Sequence, residues 1–187
     1  MAASARIAGM TEAAAQDRGP LLETPRLRLR PWRVSEAGVL RELWSERDPR
    51  VPPHRRIDAQ GRPTLDELED SIRANRPSSV GLLAIERKAI PGVIGYCGLV
   101  ASGRGTAGEP ELAFELLRQT WGCGYATEAA WVVLDWARSS GYEQLWATVW
   151  DWNTASRRLL AKVGFTETDR REVHRDIGTT LFTRRQL

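Results

Sequence analysis

Cysteine and histidine are almost missing from this chain of 187 residues, which has only Cys97, Cys123, His54 and His174. None of the four stands at a metal-ligand spacing such as CxxC or HxxxH, which argues against a metal site. No apolar run approaches the ~18 residues that a bilayer-spanning helix requires. The opening segment, MAASARIAGMTEAAAQDRGP, lacks the apolar centre of a secretory signal. It reads as a flexible Ala-rich leader (1–20) before a single domain over 21–187. With two lone cysteines, this points to a reducing cytoplasm and away from a membrane. Lysine is scarce as well, found only at Lys88 and Lys162, so the 27 basic residues are mostly arginine. They are offset by 24 acidic residues to a net +3 and are interleaved with them, which speaks against a nucleic-acid-binding face.

What is present is an ordinary globular composition with a periodic pattern. Leu27-Arg28-Leu29-Arg30 alternates as a strand with one buried face. Ser35 is placed to cap a helix carrying Val39, Leu40, Leu43 and Trp44 on one side. After a Pro/Arg-rich loop from Asp48 to Pro63, Thr64-Leu-Asp-Glu67 has the form of a capping box, and Leu65, Leu68 and Ile72 extend a helical stripe up to Pro77. Val80–Arg87 and Val93–Val100 flank Ile90-Pro91-Gly92 as a hairpin. A glycine-rich loop, SGRGTAGEP, leads to a strand over Glu111–Leu117. A helix to about Ser140 follows, stopped by Gly141, then a strand over Gln144–Trp150. A helix over Asn153–Val163 is closed by Gly164 and Phe165, and Thr166–Val173 and Thr179–Arg184 form a last antiparallel pair. The order β-α-α-β-β-β-α-β-α-β-β describes one mixed α+β domain. Most of the eight tryptophans are expected in the core.

One turn stands out. In Arg118–Ala130, RQTWGCGYATEAA, two glycines precede a good helix former. Glycine there serves either a tight turn requiring positive φ, or close approach of a phosphate to free helix amides. The motif lacks the GK[ST] of a Walker loop and the third glycine of a dinucleotide fingerprint. A second segment lies 29 residues beyond Gly124: Asn153-Thr-Ala-Ser156-Arg-Arg-Leu-Leu-Ala-Lys162-Val-Gly164-Phe165.

Together the two segments resemble the GNAT N-acetyltransferase superfamily. They are closest to its ribosomal-protein N-terminal acetyltransferase branch, with a WGxGYATEA-like loop and an NxxSxxxLxKxGF-like helix. The early TPRLRLRPW is also similar to that branch's first strand. The resemblance implies a splayed, mostly antiparallel sheet flanked by helices, and acetyl-CoA as cosubstrate without a metal. The loop Gln119, Gly122, Cys123, Gly124, Tyr125, Ala126 and Thr127 would wrap its diphosphate. The backbone of Leu116, Leu117 and Arg118, with Asn153, would line the pantetheine arm.

For chemistry, the resemblance implies direct acetyl transfer to a primary amine, either a protein N-terminus or a small molecule. Ser156 would donate to the departing thiolate, since Leu160 fills a position often held by tyrosine. Glu111, then Glu115, would take the amine proton; a solvated strand face is the plainer reading of both. Trp150 and Trp152 either line the acceptor pocket or pack in the core, and His54 either borders that pocket or is a plain loop residue. The final strands allow a homodimer. Two other classes fit the glycine loop: a non-catalytic acyl-CoA-binding regulator on the same fold, and a nucleotide-phosphate-binding protein.

Overall fold

The computed structural model describes residues 22–74, 81–101 and 109–187. The expected leader, Pro77, Val80 and most of the SGRGTAGEP loop lie outside these residues. Eight strands form one sheet: β1 Leu22–Glu23, β2 Leu27–Arg30, β3 Leu82–Arg87, β4 Val93–Val100, β5 Glu111–Leu116, β6 Gln144–Trp150, β7 Thr166–His174 and β8 Gly178–Gln186. Among the described residues four α-helices accompany them: α1 Ala37–Glu46, α2 Leu65–Ala74, α3 Tyr125–Ser139 and α4 Thr154–Lys162. The sheet order is β1-β2-β3-β4-β5-β6-β8-β7, and every pairing is antiparallel except β5 with β6. The α+β class and the order of elements agree with the sequence reading, apart from the two-residue β1 ahead of β2.

Sequence pattern explains the layers. In β4, VIGYCGLV, every residue but Val100 is buried, as a central strand covered on both faces must be. One face meets α3 and α4. Ala129, Ala130, Val133, Leu134 and Ala137 of α3 pack with Leu160 of α4 against Leu27, Leu83, Ile94, Leu112, Leu145 and Leu181. Three alanines on that stripe let α3 lie close to the sheet. The other face is covered by α1 through Leu43, which meets Tyr96 and Leu117. Behind it α2 packs on Ala37 through Leu68 and Ile72. β7, on the outer edge, is almost wholly exposed and heavily charged, a composition that discourages pairing with another chain.

Three local expectations are corrected. Ser35 does not cap α1: it sits inside a one-turn 3₁₀ segment, Val34–Glu36, and Glu36 instead reaches back to accept from the Arg33 amide (2.9 Å). Arg30, expected on the solvent side of β2, is buried, because Glu36 (2.6 Å) and Glu86 (3.0 Å) flank its guanidinium. None of the eight tryptophans is fully buried, so the expectation of a tryptophan core fails. Aliphatic residues with Phe165 and Phe182 fill the interior, and the indoles lie at its rim; Trp121 is 58% exposed. The capping box at Thr64 is present in both halves, with Thr64 N donating to Glu67 (2.7 Å) and Glu67 N to Thr64 (3.2 Å).

Candidate active site

β5 and β6 start as neighbours and then part. A single register pair, Glu111 with Trp146, joins them, and Trp146 N donates to Pro110 O (3.1 Å). β6 is paired with β8 along its whole length and β5 with β4, and beyond that one pair no register joins β5 to β6. The result is a V-shaped gap opening toward the loop that ends β5. Leu117 N donates to Ile94 O (2.9 Å), so odd-numbered residues of β5 aim their backbone groups at β4. By alternation, Phe114 and Leu116 aim theirs into the gap.

This parity refines the expected lining. Of Leu116, Leu117 and Arg118, Leu116 alone turns its amide to the gap. The Leu117 amide serves β4, and the Arg118 amide donates to Glu46 Oε2 (2.7 Å). Phe114, which the sequence reading passed over, joins Leu116 there. The Leu116 carbonyl accepts from the Trp121 indole (2.7 Å). Register between strands decides parity, and one strand's sequence does not contain it.

Where the strands diverge, the Thr148 amide would lose its partner. Glu111 replaces it: Oε1 accepts from Thr148 N (2.9 Å) and from the Thr148 hydroxyl. Glu111 is half-buried, and the described contacts leave its Oε2 unengaged. Glu115 shares its face of β5 but differs in environment. Arg47, at the end of α1, grips both its oxygens (2.8 and 2.6 Å), and the Tyr96 hydroxyl donates to Oε2 (2.8 Å). Burial first, and then the facing Glu115 charge, hold the Tyr96 phenol far above its usual pKa, so it stays a donor. Neither glutamate is a freely solvated strand residue.

The loop after β5 turns through a 3₁₀ segment, Arg118–Thr120, into α3. Gly122 (φ 77°) and Gly124 (φ 80°) are both left-handed. No atom lies within 4 Å of where a Gly122 Cβ would stand, so conformation and not crowding requires glycine there. Gly124 is the N-cap of α3. The first intrahelical bond runs from Glu128 N to Gly124 O (3.0 Å), so Tyr125, Ala126 and Thr127 carry amides without a partner in the helix. Gln119, Gly122 and Cys123 are exposed on the same turn, a surface that presents backbone donors to an anion.

On the far wall, Asn153 caps α4, accepting from Ser156 N (3.1 Å). Ser156 is half-buried, and its hydroxyl makes no bond among the described residues. Trp150 and Trp152 stack in parallel, 6.0 Å apart at 5°. Arg50 lies 4.1 Å over the Trp152 ring, and His174 meets Trp150 edge-on at 5.0 Å. Asp48 accepts from Arg50, whose hydrogen bond outweighs a little desolvation and brings the carboxyl to about 2. His54 is exposed in a 3₁₀ turn, Pro53–Arg55. The structure therefore brings Glu111, Phe114, Leu116, the glycine turn and Thr148 around one gap. Arg47 with Glu115 lies behind one wall.

Comparison with known proteins agrees with this geometry. The acetyltransferase (GNAT) domain family matches residues 26–166. Over 150 residues the chain is 29% identical to an uncharacterized N-acetyltransferase p20 of Bacillus licheniformis, covering 77% of this chain and 81% of that protein. Its fold is similar to a GNAT-family acetyltransferase from Bacillus anthracis (TM-score 0.71, 16% identity, 88% of this chain and 97% of that one). A RimL ribosomal alpha-N-protein acetyltransferase in complex with coenzyme A is also similar (TM-score 0.69, 14% identity, 88% and 96%). With a family match across three quarters of its length, the chain belongs to the GNAT acetyltransferase family and is an enzyme of the N-acetyltransferase class.

Proposed function

We propose that this protein transfers the acetyl group of acetyl-CoA directly to a primary amine bound beside it. The observation that carries the reading is the gap between β5 and β6, opened after one register pair and ending at a helix N-terminus built on two left-handed glycines. The donor set fits the cosubstrate. The amides from Gly122 to Thr127 suit a diphosphate, and the gap-facing backbone of Phe114 and Leu116 suits the peptide-like pantetheine arm. The cosubstrate supplies an activated thioester; the chain's residues orient it and manage protons. The Leu116 amide is placed to polarise the thioester carbonyl.

Glu111 is the better base. Its Oε2 remains open to the acceptor side, whereas Glu115 has both oxygens engaged and serves to anchor α1 to β5. As the amine nitrogen bonds to the carbonyl carbon, its proton passes to Glu111, directly or through water, and the C–S bond breaks. Ser156, with its free hydroxyl, donates to the departing thiolate. An α-amine, with pKa ~7.7–8.0, gives up this proton more readily than an alkylamine near ~10.4, which favours a protein or peptide N-terminus. The stacked Trp150 and Trp152 would form one side of the acceptor site.

The test is release of free thiol from acetyl-CoA with a panel of N-terminal peptides and small amines. Glu111→Gln should lower kcat by ~10²-fold or more while leaving the Kd for CoA within about twofold. An unchanged kcat would remove Glu111 from proton transfer. No thiol release with any amine would refute the transfer reaction itself.

A further inference from the structure

The cofactor turn is held from outside by a residue distant in sequence. Arg26, immediately before β2, donates from Nη1 to Cys123 O (3.0 Å) and from Nε to Glu128 Oε2 (2.6 Å). Its own backbone N–H donates to Glu128 Oε1 (3.1 Å), where the Thr24 hydroxyl also donates. The guanidinium further lies 4.7 Å over the Tyr125 ring. Five contacts thus tie Thr24 and Arg26 to three residues around the first turn of α3.

We propose that Arg26 is a positioning residue for the diphosphate turn, fixing the direction of the Gly124 amide and cancelling the charge of Glu128. The inference rests on the acetyl-CoA reading above. Two physical effects carry it. A trans peptide is planar, and its C=O and N–H point in opposite directions. Holding the Cys123 carbonyl toward Arg26 therefore turns the Gly124 N–H of the same peptide to the other side, the side left for a ligand. Gly124 and, two residues earlier, Gly122 are left-handed and bring no side chain to steady the turn, so the external tether fixes this peptide.

The second effect is electrostatic. A carboxylate in the first helical turn suits the helix dipole but repels an arriving diphosphate. Burial works against ionisation of Glu128, yet the bonds from Thr24 and Arg26 outweigh it, and the group stays charged below the usual carboxylate range. Among the described residues, only Arg26 forms an ion pair with it (2.6 Å). The Arg26 side chain is about half exposed, so its positive charge also faces the solvent from which the anion comes.

The test measures binding of CoA and steady-state kinetics with acetyl-CoA and with acetyl-pantetheine, which carries the thioester but no diphosphate. Arg26→Ala should weaken CoA binding about 10- to 100-fold, the scale of lost charge-assisted hydrogen bonds, and raise KM for acetyl-CoA alike. Its kcat at saturation and its KM for acetyl-pantetheine should stay within about twofold of wild type, a split that a merely structural role would not give. Adding Glu128→Gln to Arg26→Ala should recover part of the lost affinity. Arg26→Lys, keeping the charge without the fork, should fall between. Equal losses toward both thioesters, or CoA affinity unchanged in Arg26→Ala, would overturn the inference while wild-type binding keeps the function intact. Absence of CoA binding by the wild-type chain would remove both.

Discussion

Replacing Arg47 by methionine tests whether Glu115 is an anchor. The Arg47 side chain is 8% exposed and that of Glu115 21%, and two parallel N–H···O bonds join them. Burial works against the Arg47 charge, and the hydrogen bonds and charge of Glu115 outweigh that. Methionine keeps most of the volume but gives up the cation–π contact with Trp44, whose ring lies 4.2 Å from the guanidinium, and the bond to the Arg55 carbonyl (3.0 Å). Among the described residues it leaves the Glu115 carboxylate with Tyr96 as its remaining donor. Stranding one partner of a buried pair costs ~3–5 kcal/mol, and the residual exposure of Glu115 with the Tyr96 bond reduces this to about 2–3. For a domain of this length each kcal/mol moves the unfolding midpoint by ~2–4 °C, so Arg47→Met should lower Tm by about 5–10 °C. Adding Glu115→Gln removes the stranded charge, so the double variant should melt above Arg47→Met alone. In amine acetylation, Glu115→Gln should keep the wild-type shape of the kcat/KM against pH profile. Purely additive Tm losses would refute the coupled pair. Loss of the profile's ionisation limb in Glu115→Gln would move the base to Glu115.

Gly124→Ala places a Cβ at φ 80°, which should destabilise the turn by ~1–2 kcal/mol; calorimetry should show weakened CoA binding, while Gly38→Ala, in the first turn of α1, should leave binding unchanged. Acid unfolding should show the depressed carboxyls. Asp48 and Glu128 hold folded pKa values below their unfolded ones, so their contribution is complete above the unfolded values near ~4 and is lost as pH falls through the folded values, toward about 2 for Asp48. Neutralising Glu128 by Gln should flatten the upper part of that limb in a Tm-against-pH series.

The chain's local chemistry wrote much of this protein. Period-2 and period-3.6 patterns, the Thr64 capping box, the helix stops at Gly141 and Gly164 and the two glycines ahead of α3 each depend on a few neighbouring residues. They are therefore readable without a fold, and they carried the family resemblance. What needed the tertiary structure was every property that depends on pairing across distance. The parity of β5, which sends Phe114 and Leu116 into the gap, comes from its register with β4. The division of labour between Glu111 and Glu115 comes from Thr148 on one side and Arg47 on the other, 37 and 68 positions away. The burial of Arg30, the rim placement of the tryptophans and the Arg26 clamp arise in the same way. A side chain's partners set its charge, orientation and availability, and those partners are chosen by packing, not by sequence neighbours.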